Sequence, residues 1–296
     1  MSTPLPELHA FPDSLVFARK LGSALGWPLE RIALHHFPDW ESLVRVRATP
    51  GAAAIVVRSL DDPNAKLVEL LLAADALRRA GAGSLTLVAP YLAYMRQDCV
   101  FTPGEPVSQR VVGSLLGGAF DRVLTVEAHL HRVSALGEVF PCRAESLPAA
   151  PALAEWLRER AAGALLVGPD EESEPWVKRL AALAGLPFRI GKKRRRGDAE
   201  VELTLPALPA GASRAVLVDD IASTGATLAA GARALRGAGA AAVDALVVHA
   251  VFAAGALGAL REAGIARIVS TDTIPHPSNE VGAAPLLAAA LSGGPA

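Results

Sequence analysis

The sequence has few cysteines, no excess charge of either sign and no long apolar run, and each shortage excludes a class of protein. Cys99 and Cys142 are the only cysteines among 296 residues, and they lack metal-ligand spacing. Two such thiols are typical of a reducing cytoplasm rather than of a disulfide scaffold. A formal net charge of -1 argues against a surface that binds nucleic acid or membranes through bulk charge. The apolar runs are short and broken by charges or proline, so we expect no membrane-spanning segment.

The opening 14 residues contain no basic segment followed by an apolar run, so we expect no secretory signal and a cytoplasmic location. Hydrophobic residues make up 51% of the chain, which is enough for a sizeable core, and the length suits two domains. The uncharged segment at 148–151 (PAAP) is the predicted boundary, so we expect domains at 1–148 and 149–296.

Short β-branched runs alternate with helical stretches along both halves of the chain. This order predicts an α/β protein with parallel sheets covered by helices. Both halves run an apolar strand into an acidic residue, at 122–127 and 214–219, which favours an internal duplication. The predicted strands cover 54–57, 85–89, 122–126, 165–167, 215–218, 246–251 and 268–270, and the predicted helices cover 64–80, 108–119, 175–184 and 227–237.

The segment 216–228 (VLVDDIASTGATL) carries the clearest functional signal. A buried strand runs into Asp219 and Asp220, and a tight turn then opens a helix. Backbone N–H groups of such a turn converge on an anion, and the two carboxylates suit the ribose 2′ and 3′ hydroxyls. The alternative is an ordinary helix cap by Ser223 or Thr224, which would not require paired acids. The predicted phosphate turn consists of Ser223, Thr224, Gly225, Ala226 and Thr227.

This segment resembles the 5-phosphoribosyl-1-diphosphate (PRPP) loop of the phosphoribosyltransferase fold, and other segments resemble the ribose-phosphate pyrophosphokinase family. They are 67–71 (LVELL), 90–98 (PYLAYMRQD), 103–108 (PGEPVS), 271–275 (TDTIP) and the Lys/Arg cluster. The resemblance covers 37–287. It implies two tandem phosphoribosyltransferase-like domains, with ATP and Mg²⁺ bound by the first and ribose 5-phosphate by the second. It also implies transfer of a diphosphoryl group from Mg-ATP to the C1 hydroxyl of ribose 5-phosphate.

The resemblance assigns the ATP site to two separate segments. Arg96 and Gln97 would hold ATP, since an arginine fork suits phosphate oxygens. Phe37 would stack on adenine, with Asp39 and Glu41 beside it as acceptors. Because the family supplies this second segment from a neighbouring subunit, we expect a homo-oligomer with a shared ATP site.

The resemblance also assigns three metal ligands for Mg²⁺, which are Glu127, His129 and Asp170. Glu127 stands where the family has Asp, and Mg²⁺ accepts either carboxylate. A second departure follows Asp170, where the acidic run 171–174 (EESE) replaces a small, glycine-rich turn.

The basic run 191–196 (GKKRRR) resembles a mobile loop that closes over the transferred group in the family. Its spacing to Val201 favours Lys193 and Arg195 as the catalytic residues, with Lys192 and Arg194 as the shifted register. Positive charge is needed there because negative charge develops on the phosphate oxygens during transfer.

Three other functions stay open on the sequence alone. The chain could be a phosphoribosyltransferase that consumes PRPP, although such an enzyme needs neither a second domain nor ATP motifs. It could be a non-catalytic, synthetase-like regulatory subunit, although it keeps the residues that such a subunit is expected to lose. Glu127 and the acidic run also leave open a changed sugar or nucleotide preference.

Overall fold

Parallel strands and covering helices build both halves of the chain. The computed structural model describes residues 5–47, 53–195, 201–204 and 213–293. The strands are β1 (Glu7–Ala10), β2 (Leu29–Arg31), β3 (Ala33–His36), β4 (Ser42–Arg45), β5 (Ala53–Val57), β6 (Ser84–Ala89), β7 (Arg122–Val126), β8 (Arg143–Leu147), β9 (Leu165–Gly168), β10 (Phe188–Ile190), β11 (Lys192–Arg195), β12 (Val201–Thr204), β13 (Arg214–Ala222), β14 (Ala242–Ala250), β15 (Ile265–Thr271) and β16 (Asn279–Val281). The helices are α1 (Leu15–Leu25), α2 (Pro63–Arg79), α3 (Ser108–Ala119), α4 (Ala150–Arg160), α5 (Glu174–Ala184), α6 (Ala226–Gly237), α7 (Ala256–Glu262) and α8 (Ala284–Ser292).

The chain divides into two units, one holding the residues up to Leu147 and those from Ala283 onward, the other Pro148–Gly282. The first unit has a six-stranded sheet in the order β2-β1-β5-β6-β7-β8, and every neighbouring pair in it is parallel. The second has β10-β9-β13-β14-β15-β16, also parallel throughout. The predicted α/β class with mainly parallel sheets is therefore confirmed.

The two sheets have the same strand order, with a two-stranded antiparallel hairpin inserted at the same point. The hairpin β3–β4 lies between β2 and β5 along the chain, and β11–β12 lies between β10 and β13. This repeat supports an internal duplication. However, the two strands compared in the sequence, β7 and β13, hold different places in the repeat. The counterpart of β13 is β5, and the counterpart of β7 is β15.

The helix that follows the last strand of each repeat belongs to the other unit. Helix α4 follows β8 but belongs to the second unit, where it packs against α5. Helix α8 follows β16 but belongs to the first unit, where it packs against α1. Because α1 and α5 are counterparts, α8 completes the first unit as α4 completes the second.

All the strands and helices predicted from periodicity are present, and α3 and β7 have the predicted bounds. Helix α2 begins at a proline and ends with Arg78 and Arg79, as the helix dipole favours. The sequence predicted no strand in the basic run, yet Lys192–Arg195 forms β11. None of the described helices combines the length and apolar composition needed to cross a bilayer.

Helix α3 depends on a close approach at Gly113. A Cβ added there would lie 2.8 Å from the carbonyl oxygen of Val139 and 2.8 Å from its Cγ1. We expect Gly113→Ala to destabilise the protein by about 1–3 kcal/mol, because the backbone carbonyl cannot move without disturbing its loop. Chemical denaturation would measure the loss.

Gly118 of the same helix is the matched control, because a Cβ there meets nothing within 4 Å. Gly118→Ala should leave the protein as stable as the wild type or stabilise it by up to about 1 kcal/mol. Equal stability of the two variants would contradict tight packing at Gly113.

Candidate active site

The predicted adenine-binding residues lie in the turn of the hairpin β3–β4. The Phe37 N–H donates to the Glu41 carbonyl at 2.8 Å, and the Trp40 N–H donates to the Phe37 carbonyl at 2.9 Å. Asp39 Oδ1 accepts from the Glu41 N–H at 3.2 Å. Phe37 is 41% exposed, and its ring meets the edge of His35 at 4.9 Å between centroids. The turn therefore presents an aromatic ring and two carboxylates to the surroundings.

Arg96 and Gln97 lie in the loop that follows β6. Gln97 Oε1 accepts from Ser108 Oγ at 2.5 Å, and the Gln97 carbonyl accepts from the Gln109 N–H at 3.2 Å. The start of α3 thus holds this loop. Arg96 is exposed and makes no hydrogen bond or ion pair with other described residues. Its guanidinium therefore keeps its donors for a ligand.

Tyr94 fixes the same loop from the other side. It has a φ of 66°, in the left-handed region, and its hydroxyl donates to Asn64 Oδ1 at the start of α2. Residues other than glycine rarely adopt this backbone conformation unless surrounding contacts enforce it. Trp40 and Glu127 also have a positive φ, of 69° and 39°. Three strained residues therefore lie in segments assigned to the nucleotide and the metal.

Glu127 and His129 follow β7, next to the loop of Arg96. Both are half-buried, and the rings of His129 and His131 meet edge to face at 4.0 Å. Asp98, whose side chain is 6% exposed, binds Arg132 Nε at 3.2 Å. That ion pair ties the loop after β6 to the loop after β7, so the structure brings the Arg96–Gln97 pair towards Glu127 and His129.

The donor set at Glu127 and His129 suits a magnesium ion that the nucleotide would help to hold. Mg²⁺ usually takes one or two carboxylates, several waters and substrate phosphates, rather than a full cage of side chains. Within the described ranges, no three His, Cys, Asp or Glu side chains gather as a metal-binding group. One carboxylate and one imidazole at a strand end agree with this open kind of site.

The predicted phosphate turn joins β13 to α6. Asp219 and Asp220 are half-buried and lie within the last residues of β13, not after it, because the strand continues to Ala222. Each carboxylate accepts from the next N–H, at 3.1 Å for Asp219 and 2.7 Å for Asp220.

Gly225 occupies the N-cap position of α6, and Thr224 Oγ1 accepts from the Ala226 N–H at 3.4 Å, so the alternative of capping by Thr224 stays open. Gly225 has a φ of 76°, and a Cβ there would lie 3.1 Å from Leu260. The Ser223 carbonyl accepts from the Ala253 N–H at 3.1 Å, which fixes the turn from the neighbouring strand's loop. The next two amides of α6, those of Thr227 and Leu228, have no partner within the helix and therefore suit an anion.

Asp170 follows β9, the strand that pairs with β13. Its Oδ1 accepts from the Ser173 N–H at 3.1 Å, and its carbonyl accepts from Ser173 Oγ at 2.6 Å. The acidic run forms a short 3₁₀ helix at Glu171–Ser173 that leads into α5. Carboxylates are stabilised at a helix start, which gives this run a structural role. Asp170 thus caps a helix here, and its role as a metal ligand stays a prediction.

Lys193 and Arg195 lie in β11, and only their backbone is described. In the register with β12, Lys193 pairs with Leu203, which is buried, and Arg195 pairs with Val201. Lys192 pairs with Thr204, and both of these are exposed. The strand β12 packs against α6, the helix that the phosphate turn opens.

Sequence reasoning gave no role to Tyr94, Asp98 or Glu69, three residues that hold these loops. Tyr94 and Asp98 belong to the recognised segment 90–98, but nothing in a sequence reveals a positive φ or a distant ion pair. Glu69 did leave a signal, because it stands four residues before Ala73 and eight before Leu77, on the apolar face of α2. A carboxylate on such a face indicates a buried partner.

Family models match most of the chain. Residues 8–119 match the N-terminal domain of ribose phosphate pyrophosphokinase, and residues 145–284 match the phosphoribosyl transferase domain. These matches follow the two repeated sheets, so the chain has two tandem domains of phosphoribosyltransferase type. Both segments assigned to the nucleotide lie within the first match, and the phosphate turn lies within the second.

Similar proteins include two that are named ribose-phosphate pyrophosphokinase. The ribose-phosphate pyrophosphokinase of Methanopyrus kandleri is 36% identical over 95% of this chain and 97% of its own length. That of Pyrococcus furiosus is 34% identical over 87% and 91%. Among solved structures, the phosphoribosylpyrophosphate synthetase from Mycobacterium smegmatis matches with a TM-score of 0.86, 27% identity and 98% coverage of both chains. The chain therefore belongs to the ribose-phosphate pyrophosphokinase family, a family of enzymes.

Proposed function

We propose that this enzyme transfers the β,γ-diphosphoryl group of Mg-ATP to the C1 hydroxyl of ribose 5-phosphate, giving PRPP and AMP. The observation that carries the proposal is the turn at β13–α6, where paired carboxylates precede a glycine-capped helix start. Such a turn suits a sugar phosphate, with the phosphate on the amides and the ribose hydroxyls on Asp219 and Asp220. The first domain adds the nucleotide segments.

The reaction needs alignment and charge neutralisation rather than a covalent intermediate. The C1 hydroxyl loses its proton, and its oxygen bonds to the β-phosphorus. The bond between that phosphorus and the oxygen bridging it to the α-phosphorus breaks, so AMP leaves with this oxygen. Arg96 and Gln97 hold the nucleotide, while Lys193 and Arg195 stabilise the charge on the transferred group. Glu127 and His129 would hold Mg²⁺, which neutralises phosphate charge when bound. Asp170 would form a second acidic site near ribose 5-phosphate.

Two of the alternative functions have less support. A phosphoribosyltransferase that consumes PRPP does not account for a first domain that matches the pyrophosphokinase model. A regulatory subunit does not account for the retained Lys193, Arg195, His129, Asp219 and Asp220. Incubation with Mg-ATP and ribose 5-phosphate, followed by phosphorus NMR, tests the reaction directly. We expect AMP and PRPP, and the absence of both would overturn the proposal.

We also propose that the enzyme is a cytoplasmic homo-oligomer in which Phe37, Asp39 and Glu41 complete the ATP site of a neighbouring subunit. Both described cysteines are free thiols, which suits a reducing compartment. The described part of the first unit exposes several large apolar side chains, and six of them lie in two groups. Phe37 and Trp40 lie in the hairpin turn, and the contacting helices α2 and α3 expose Val68, Leu72, Val111 and Leu115. Exposed apolar groups of this size suit a subunit interface.

Removal of the Lys193 ammonium should affect the chemical step most. We expect Lys193→Ala to lower kcat by about 10²–10³-fold with little change in either KM, because the contact forms mainly in the transition state. Lys178→Ala, an exposed change of equal charge on α5, is the control and should retain activity. A near-normal kcat in Lys193→Ala together with a loss in Lys192→Ala would move the role to the shifted register.

Loss of charge at Asp220 should weaken sugar binding. We expect Asp220→Asn to bind ribose 5-phosphate about tenfold more weakly, because an amide accepts hydrogen bonds from hydroxyls less strongly than a carboxylate does. Titration calorimetry measures the affinity, and a thermal melt checks the fold. Unchanged affinity in a normally folded variant would refute the role.

Shared sites should allow two inactive variants to complement each other. We expect Phe37→Ala combined with Asp39→Ala to be inactive, as Arg96→Ala is, and a mixture of the two proteins to regain partial activity. Some mixed interfaces would then hold one intact site. Activity per chain should also fall on dilution, as the partner dissociates. A monomer by light scattering with full activity would rule out the shared site.

A further inference from the structure

The hairpin β3–β4 needs an anchor outside itself. All of its residues, 33–45, are described, and none is buried. It forms a separate two-stranded sheet beside the six-stranded one. A two-stranded hairpin of this kind is at best marginally stable in water. Its turn at 37–41 can keep one conformation only if another element holds the strands.

One carboxylate, that of Glu69 on α2, binds both strands of this hairpin. Its Oε1 accepts from His36 Nε2 at 2.7 Å and from Ser42 Oγ at 2.8 Å. His36 is the last residue of β3 and Ser42 the first of β4, and they pair directly in the register. The carboxylate therefore closes the base of the turn 37–41.

Arg58 keeps this carboxylate charged. Its Nη2 lies 2.6 Å from Glu69 Oε2, and the two side chains are only 3% and 2% exposed. Burial alone would raise the pKa of Glu69, but the hydrogen bonds from His36, Ser42 and Arg58 and the charge of Arg58 outweigh it and lower the pKa. Asp13 Oδ2 accepts from the same Nη2 at 2.9 Å and from Arg58 Nε at 3.1 Å. The clamp is this buried ion pair of Glu69 and Arg58. Glu69 Oε2 binds Arg58, and Glu69 Oε1 binds the hairpin.

We propose that Glu69 is a positioning residue for nucleobase recognition, fixing the turn 37–41 through His36 and Ser42. The inference rests on the proposed function, from which it takes the role of the turn. A loosened turn would spread the Phe37 ring and the Asp39 carboxylate over many orientations, and ordering them would weaken binding. The groups assigned to diphosphoryl transfer lie elsewhere, so the chemical step should not change.

Kinetics of Ser42→Ala and Glu69→Gln test the clamp. We expect KM for ATP to rise about tenfold in Glu69→Gln and less in Ser42→Ala, with kcat and KM for ribose 5-phosphate unchanged. Asp75→Asn is the matched control, since Asp75 lies on the same helix in an exposed ion pair with Arg79 at 2.7 Å. A loss of thermal stability with an unchanged KM for ATP would overturn the proposal.

His36 offers a test that leaves the Glu69–Arg58 pair intact, in case Glu69→Gln fails to fold. His36→Leu removes the donor, whereas His36→Gln keeps an N–H on a side chain of similar reach. We expect His36→Leu to raise KM for ATP and His36→Gln to restore it at least partly. Equal kinetics of the two variants would argue against a hydrogen-bonded clamp.

Amide hydrogen exchange of the ligand-free protein separates this inference from the proposed function. We expect residues 33–45 to exchange faster in Ser42→Ala and His36→Leu, with protection of β5 and β6 unchanged. Unchanged exchange in the hairpin would overturn the clamp whether or not the wild type makes PRPP. Faster exchange with unchanged ATP affinity by calorimetry would overturn its link to the nucleobase.

Discussion

Parallel pairing of β9 with β13 is the constraint on which the second domain's site depends. In each sheet the chain first adds a strand on one side of its first strand and then adds all later strands on the other side. In such sheets ligands bind at the carboxyl ends of the two strands that flank this reversal, which are β9 and β13 in the second unit. Pairing of Ala215 with Leu165 and of Leu217 with Val167 sets the register. Asp170 and the phosphate turn then leave the sheet at the same edge. Their proximity needs no special contact between them, because it follows from the register of the two strands.

The place of α8 shows why a single cut in the sequence does not separate the two units. A boundary near Pro148 agrees with the end of the first run of strands, but the last helix of the chain packs in the first unit. Within that unit, the Ala290 carbonyl of α8 accepts from Arg122 Nη2 at 3.3 Å, at the start of β7. The strand that leads to Glu127 and His129 is thus held by the far end of the chain. Local periodicity predicts neither the unit to which α8 belongs nor its contact with Arg122, because both depend on tertiary packing.

The central strands and their helices could be predicted because the spacing of their apolar residues indicates which side chains are buried. β5, β6, β7 and β13 are apolar runs, and α3 and α6 bury apolar residues at helical spacing. Edge strands such as β2 and β10 are three residues long and contain no buried residue, so they leave no periodic signal. The hairpin β3–β4 was likewise not predicted, and the resemblance assigned a role only to Phe37, Asp39 and Glu41 in its turn. Its fixed position depends on Glu69, which is 27 residues from Ser42 and 33 from His36. Contacts of that kind depend on the fold and not on neighbours in sequence.

The loops at this reversal point carry different residues in the two units. In the second, the loops after β9 and β13 carry Asp170 and the proposed phosphate turn. In the first, the corresponding loops follow β1 and β5 and carry Asp13 and Arg58, which bind each other at 2.9 Å. Glu69 Oε2 lies 2.6 Å from the same Nη2, and the Phe11 ring lies 3.9 Å from the guanidinium carbon. Two carboxylates and an aromatic ring thus surround an arginine side chain that is only 3% exposed, so it is not presented to a phosphate. The reversal point of the first unit therefore supports the hairpin β3–β4, and the segments proposed to bind ATP and Mg²⁺ lie on that hairpin and on the loops after β6 and β7.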